Sequence, residues 1–368
     1  MKKKEIIANL PLNLTDKIRH YFVPRQKYFV REPKVHFIKN AFVSEQGLVI
    51  KNLFLSKYCA FNLLGKEDNT FYWPYWRLSL EQMLVSKFGK SLKSINLDTN
   101  QNYLLIYTKW FNYSFWVNSC LVRLIMAEKE GLLDKCLLLF PENWHQIEFV
   151  KQSLSCFDVK VQVIPEDHHL FVQNLYLPET REWTASFYPP QIQDVRIKIV
   201  PFALEKTTSK EFPKRIYLTR KKRNVRCVEN ESEILPILKE FDFTIINFED
   251  YSFWDQVALM NHAETFVSVH GAGFSNAMFM KPGSSVLELI NEPYAEVEYQ
   301  FPFWKLSSAA QLNYYAQLCA LNPNASKLLR RGHTHDSENK YLADENIVVD
   351  IDLFIRNIEL ICATEYNL

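Results

Sequence analysis

The 368-residue sequence lacks an excess of charge, since 43 Lys and Arg face 42 Asp and Glu for a formal net charge of +1. A protein dedicated to nucleic-acid binding usually carries a strong basic excess, so nucleic acid is not expected as a partner. The sequence also lacks any run of ~18 apolar residues, the length that a membrane span requires. Its first eleven residues are basic but have no apolar core of the kind that a signal peptide needs. These absences predict a cytoplasmic protein.

The seven cysteines include no C-x-x-C pair, and their number is odd. Most of them lie within apolar segments, which is typical of a reduced compartment where cysteine acts as a small hydrophobe. We therefore expect no bound metal. Internal repeats and low-complexity segments are also missing. The hydrophobic content of 48% is ample for packed cores, and the length favours two domains.

The charges are nevertheless unevenly distributed along the chain. Residues 1–40 carry ten Lys and Arg against three acidic residues. Two interpretations of this basic N-terminal arm are open. It could contact anionic lipid at the inner membrane or an anionic acceptor, or it could be a solvated basic surface.

Short apolar runs alternate with helical patterns through most of the chain, which predicts an α/β protein with parallel sheets. In the first half we expect strands near residues 103–107, 136–140 and 159–164. In the second half we expect strands near 216–219, 243–248, 265–269 and 286–290, with helices near 231–241 and 252–260. A proline-rich stretch separates the two halves. These patterns predict an N-terminal domain over 1–185, a connection over 186–213 and a C-terminal domain over 214–368, both domains doubly wound and facing a central cleft.

The loop His270, Gly271, Ala272 and Gly273 follows a predicted strand and precedes a predicted helix. Such a junction exposes unpaired backbone N–H groups and the positive end of a helix dipole. Two glycines would leave room for a phosphate to approach those N–H groups. His270 could donate a hydrogen bond to a phosphate, and Asn276 could order the first helical turn. The alternative is a tight turn with a packed histidine.

Basic residues follow the first strand of the C-terminal half. The carboxyl ends of neighbouring parallel strands converge on one edge, so Arg220 and Arg226 could reach the same ligand as His270. Arginine can bind diphosphate oxygens in a bidentate manner. Solvated surface loops are the alternative for these residues, and we favour it for Lys222 and Arg223.

Glu288 lies inside a strongly apolar predicted strand, which would ordinarily exclude a carboxylate. It therefore needs a partner. A ribose diol of a bound nucleotide and an internal ion pair remain equally open.

Taken together, these residues resemble glycosyltransferase family 61. A fainter similarity extends upstream through Asn112, Tyr113, Trp116 and Arg123. The main similarity covers about residues 214–291 and consists of 215–220, Arg226, Asn230, Glu231, Gln256, 270–273, Asn276 and 286–289.

The resemblance implies a GT-B architecture of two Rossmann-like domains, with the donor nucleotide in the C-terminal domain and the acceptor mainly on the N-terminal one. It implies an inverting, metal-independent transfer from a nucleotide-sugar donor, a co-substrate rather than a cofactor, to an oligosaccharide or glycolipid acceptor. It further implies a bacterial enzyme of capsule or lipopolysaccharide biosynthesis. The resemblance assigns the contacts with the donor to Arg220, Arg226, the 271–273 backbone, Asn276 and Glu288.

The upstream segment departs from the family pattern. Relatives carry a histidine and then an acidic residue where this sequence has Phe115 and Ser119, so a base for the acceptor proton is missing there. Alternative bases are His270, which we prefer, and also Asp167, His168 and Glu81. The departure also motivates a second hypothesis, a catalytically degenerate scaffold in a polysaccharide assembly complex. An NAD-dependent oxidoreductase is disfavoured because the dinucleotide fingerprint is absent.

Overall fold

The structure is a computed structural model that describes residues 3–44, 47–51, 54–56, 58, 93–108, 111–166, 168–179, 185–220, 225–297, 301–321 and 344–364. The chain divides into two compact units. The first comprises Met1–Lys4 and Val30–Ser186, and the second comprises Glu5–Phe29 and Phe187–Leu368. No helix in these described ranges is both long enough and apolar enough to cross a membrane.

The first unit contains a mixed sheet of eight strands, which are β3 (Val35–Val43), β4 (Val49–Lys51), β5 (Phe54–Leu55), β6 (Lys93–Asn96), β7 (Asn102–Leu105), β8 (Cys136–Pro141), β9 (Lys160–Ile164) and β10 (His168–Pro178). They lie in the order β5-β4-β3-β10-β7-β8-β9, with β6 also paired to β10. Strands β10, β7, β8 and β9 run parallel, whereas β3, β4 and β5 join by antiparallel pairing.

The first helical segment of the first unit begins at a side-chain cap. The Asn112 side chain accepts a hydrogen bond from the Phe115 backbone N–H, which satisfies one unpaired donor of the first turn. The chain then runs through a π-helical turn into a helix that ends beside Gly131, whose φ of +61° suits a glycine. The helical segments are Tyr113–Phe115, Trp116–Cys120, Leu121–Lys129, Leu133–Lys135, Glu142–His145 and Glu148–Leu154.

The second unit is built on a six-stranded sheet of β11 (Arg215–Leu218), β12 (Thr244–Ile246), β13 (Thr265–Val269), β14 (Ser285–Asn291), β15 (Asn313–Leu321) and β16 (Ile347–Val348). Their order in the sheet is β12-β11-β13-β14-β15-β16. The first five strands in this order are all parallel, and β16 pairs with β15 in the antiparallel sense. Every residue of β13 and β14 is buried, as expected for central parallel strands covered on both faces.

Helices complete the second unit. Ser252 caps one of them, since its side chain accepts from the Asp255 backbone N–H. A two-stranded sheet of β1 (Lys4–Ile7) and β2 (Lys27–Val30) carries the N-terminal segment. The helical segments are Asp16–Phe22, Val23–Arg25, Pro189–Lys206, Glu231–Glu240, Phe248–Asp250, Phe253–His262, Ala272–Phe279, Glu292–Val297, Pro302–Ala309 and Ile351–Thr364.

The α/β class and the parallel sheets are confirmed, and each predicted strand is present with small shifts at its ends. The first unit departs from the doubly wound prediction because three of its eight strands, β3 to β5, join by antiparallel pairing. The division of the chain also differs from the predicted boundaries. Residues 5–29 of the basic arm belong to the second unit, and most of the predicted connection is the helix Pro189–Lys206 of that unit.

Candidate functional site

The strand order of the second unit marks a place for a ligand. Numbered along the chain, β12-β11-β13-β14-β15 reads 2-1-3-4-5, so the direction of winding reverses between β11 and β13. In open α/β sheets, ligands bind outside the carboxyl ends of the strands at this reversal. Arg220 follows the end of β11 by two residues, and His270 follows β13 directly. Arg220 and His270 therefore lie just beyond the carboxyl ends of β11 and β13, the two strands between which the winding reverses.

Gly271 and the Arg220 side chain are in close contact. A Cβ atom placed on Gly271 would lie 2.3 Å from the Arg220 Nη1 atom. The φ of Gly271 is 168°, an extended conformation open to any residue. Glycine is needed here because of the guanidinium, and the predicted proximity of Arg220 to the loop is present.

Gly273 has a different neighbour. A Cβ atom at this position would lie 2.7 Å from Leu218 Cδ2 and 3.3 Å from Phe248 Cδ2. The space left by the missing side chain is therefore filled by the core. The Cα of Gly273 therefore faces the core, and its role in binding a phosphate stays a prediction. The half-buried Ala272 opens the helix Ala272–Phe279 as predicted.

Asn276 lies inside that 3₁₀ helix with no solvent exposure. Its Nδ2 donates to Gln256 Oε1 at 3.1 Å. The Gln256 Nε2 in turn donates to the carbonyl oxygens of Phe248 and Tyr251. In this structure the Asn276 side chain ties the helix to the segment after β12, and its role in binding the donor stays a prediction.

The His270 imidazole is held by a buried carboxylate. His270 Nδ1 lies 2.7 Å from Glu288 Oε1, and the Tyr314 hydroxyl donates to Glu288 Oε2 at 2.5 Å. The Glu288 side chain is 0% exposed, whereas that of His270 is 17% exposed. Burial and the adjacent Glu288 carboxylate raise the pKa of Tyr314 well above its usual value, so its hydroxyl keeps the proton it donates.

These contacts show the partners that Glu288 has in this structure. Both of its oxygens contact side chains inside the protein, and none of its surface reaches solvent. Glu288 is therefore paired internally here, and its contact with a donor ribose stays a prediction. Tyr314 was not identified as a site residue from the sequence. The signal that could have found it is a tyrosine hydroxyl within the buried strand β15.

Glu231 fixes the end of β11 that leads to Arg220. Its Oε1 accepts from the Tyr217 hydroxyl at 2.9 Å and from Thr219 Oγ1 at 2.6 Å. Burial, together with the Glu231 charge, raises the pKa of Tyr217 well above its usual value. Glu231 opens the helix Glu231–Glu240, where a carboxylate is favoured by the helix dipole. This network holds Thr219, the residue between β11 and Arg220.

Arg226 has a partner of its own. Its φ is +55°, and its backbone N–H donates to the Asp344 carbonyl at 3.1 Å. The Arg226 Nε lies 3.6 Å from Asp344 Oδ1. In this structure Arg226 is thus paired with Asp344, and its contact with the donor stays a prediction. Lys222 and Arg223 lie outside the described residues.

The upstream segment of the first unit is buried. Phe115 and Ser119 are 5% and 2% exposed. Arg123, which is 1% exposed, donates to the carbonyl oxygens of Leu105, Ile106 and Pro178. The positions that depart from the family pattern are thus part of a packed interior.

Among the other candidate bases, His168 is half-buried and its Nδ1 lies 2.7 Å from the Glu166 carbonyl oxygen. Asp167 and Glu81 lie outside the described residues. Within the described part of the chain, no group of three or more His, Cys, Asp or Glu side chains is placed to hold a metal ion.

Comparison with known proteins gives one family. The model of the family Glycosyltransferase 61 matches residues 36–287. Curated relatives are named protein O-linked-mannose beta-1,4-N-acetylglucosaminyltransferase 2. The Xenopus laevis protein is 37% identical over 97 residues, 25% of this chain and 16% of its own length. The Canis lupus familiaris and Homo sapiens proteins are 41% and 38% identical over 73 residues, 19% of this chain and 12% of theirs.

Proposed function

Because the chain belongs to glycosyltransferase family 61, whose model matches most of its length, we propose that it transfers a sugar from a nucleotide-sugar donor to a glycan acceptor. The donor binds in the second unit, and the transfer inverts the anomeric centre without a bound metal. The chain matches only 12–16% of the length of its curated relatives, so the reaction is proposed from the family and from this chain's own residues.

One observation carries the proposal. The Arg220 guanidinium lies against Gly271 at the point where the strand order reverses. A diphosphate bound there would meet the guanidinium fork and the backbone N–H groups that open the helix Ala272–Phe279. Both groups would stabilise the negative charge that develops on the departing nucleoside diphosphate, the step at which preorganised donors contribute most.

His270 is the residue to which we assign acid–base chemistry. Its side chain is partly exposed and is anchored at Nδ1. A general base must reach the acceptor hydroxyl in the bound complex. The proposal includes a GT-B architecture, with the acceptor bound mainly by the first unit.

The substrates follow from two sources. The resemblance suggests a bacterial role in capsule or lipopolysaccharide assembly, with the basic N-terminal arm at the inner membrane. The names of the relatives suggest N-acetylglucosamine as the transferred sugar. We propose nucleotide-activated N-acetylglucosamine as the first donor to test, and a surface oligosaccharide or glycolipid as the acceptor.

The test is binding and turnover with a panel of nucleoside diphosphates and nucleotide sugars. One nucleoside diphosphate should raise Tm and bind in calorimetry, and the matching nucleotide sugar should be consumed when acceptor is present. Arg220→Ala should weaken binding of that nucleotide while leaving Tm of the free protein unchanged. Equal binding by wild type and Arg220→Ala would remove the basis of the proposed donor site.

A second candidate is a non-catalytic scaffold in a polysaccharide assembly complex. It is favoured by Phe115 and Ser119, which stand buried where family members carry a histidine and an acidic residue. A scaffold would show no turnover with any nucleotide sugar and acceptor and would co-purify with assembly proteins. Consumption of a nucleotide sugar that depends on His270 would exclude it.

A further inference from the structure

Three side chains on successive parts of the second sheet form a continuous hydrogen-bonded chain. Tyr314 lies on β15, Glu288 lies on the adjacent β14, and His270 follows β13 on the far side of Glu288. The two links are the 2.5 Å contact from the Tyr314 hydroxyl and the 2.7 Å contact to His270 Nδ1. Exposure increases along the chain, from the buried Tyr314 and Glu288 to the partly exposed imidazole.

The hydrogen-bonding capacities assign the histidine tautomer. A buried carboxylate is stable only when its oxygens accept hydrogen bonds. Tyr314 supplies one donor, and the ring nitrogen facing the other oxygen must therefore carry a hydrogen. A neutral imidazole with its hydrogen on Nδ1 has its lone pair on Nε2. The form of His270 that Glu288 selects is thus the form that accepts a proton at Nε2.

Tyr314 is itself held by the N-terminal segment of the same unit. Its backbone carbonyl accepts from the Leu12 N–H at 2.9 Å. Next to it, Asn13 exchanges two hydrogen bonds with the Ala316 backbone, at 2.8 and 3.1 Å. The segment thereby fixes β15 at the point where the hydroxyl meets Glu288.

We propose that Glu288 and Tyr314 are positioning residues that hold His270 with its hydrogen on Nδ1, so that Nε2 takes the acceptor proton during sugar transfer. The inference rests on the proposed function. The acceptor oxygen forms the new bond to the anomeric carbon as its proton passes to Nε2. The bond from that carbon to the diphosphate oxygen breaks, and the nucleoside diphosphate leaves with the electron pair. The imidazolium that forms is stabilised by Glu288 and releases its proton to solvent.

The first experiment reads the tautomer directly and needs no turnover. The ¹⁵N chemical shifts of the His270 ring, assigned by their loss in His270→Gln, should report hydrogen on Nδ1 in the neutral wild-type ring. Glu288→Gln should mix or invert the tautomers, because its amide can donate to Nδ1. A wild-type ring with hydrogen on Nε2 alone would overturn the inference.

The second experiment measures kcat and donor KM. Glu288→Gln should lower kcat by about 10²- to 10⁴-fold, as expected when a catalytic histidine loses its orienting carboxylate, with donor KM changed less than about threefold. Tyr314→Phe should lower kcat by about tenfold, the effect of one hydrogen bond to a charged group.

The matched control is Tyr315→Phe, which removes a hydroxyl from the next buried tyrosine of β15 and should leave kcat within about twofold. Equal losses of kcat in Tyr314→Phe and Tyr315→Phe would show that the loss comes from altered packing, and would overturn the positioning role. The predicted tautomer in a wild-type protein that turns over no nucleotide sugar would instead refute the proposed function, and the proton-transfer role with it.

Discussion

The contact between Gly271 and Arg220 makes a specific prediction about Gly271→Ala. The added methyl would lie 2.3 Å from the Arg220 Nη1 atom, so the guanidinium must move. The atom displaced is the end of a flexible side chain, and the extended φ of 168° is open to alanine. We therefore expect the free energy of unfolding to change by less than about 1 kcal/mol, since glycine-to-alanine changes at compatible positions are small.

The effect on nucleotide binding should be much larger. Loss of hydrogen bonds from a charged group costs about 1.5–3 kcal/mol, which corresponds to a dissociation constant weaker by about 10- to 150-fold. Calorimetry with the nucleoside diphosphate found in the screen measures this value. Arg220→Lys should show a loss of similar size, because lysine keeps the charge but lacks the bidentate fork.

A double-mutant cycle gives the decisive control. If Gly271→Ala acts by displacing Arg220, then adding it to Arg220→Ala should cause little further loss of affinity. Additive losses in the double variant would show that the methyl acts elsewhere, and the inferred geometry would be refuted. Gly273→Ala serves as the matched comparison. Its methyl would collide with Leu218 and Phe248, so the unfolding free energy should fall by about 1–3 kcal/mol through overpacking.

Three further predictions concern stability. Asp255 is buried, which raises its pKa, but hydrogen bonds from Ser252 and the segment 207–209 outweigh this and lower the pKa to about 2. A lowered folded-state pKa contributes stability that is present above about pH 4 and is lost as pH falls towards 2. Asp255→Asn should therefore lose about 2 kcal/mol at pH 7 and less at pH 3 in urea unfolding. Arg123→Met should cost about 3 kcal/mol, because it leaves buried carbonyl oxygens without donors; an unchanged Tm would contradict that role. Asn112→Ala should cost about 1 kcal/mol through loss of the helix cap, and Asn112→Asp should restore most of it.

Alternation of apolar runs and helical patterns was enough to predict the α/β class and four strands of the second sheet, β11 to β14, but not β15 and β16. Strands such as β13 and β14 are buried on both faces, and continuous apolar sequence is the direct result. The antiparallel strands β3 to β5 of the first sheet were not predicted. Alternation along the chain does not encode the long-range pairing of β3 with β10, whose partners are more than one hundred residues apart.

The position of the candidate site was likewise within reach of the sequence. Residues that end parallel strands must meet at one edge, so Arg220 and the 270 loop could be brought together without coordinates. The contacts of each side chain required the tertiary structure. Gly273 faces Leu218, and Glu288 faces Tyr314, because β11 lies beside β13 and β14 lies beside β15.

The sequence by itself determined which residues carry charge, which strands are buried and where the glycine-containing turn falls, because each depends on neighbours along the chain. Only the tertiary structure decided that Glu288 contacts His270, and that the N-terminal segment belongs to the second unit. Both depend on which strands are adjacent in the sheet, and adjacency is set by packing between segments distant in sequence.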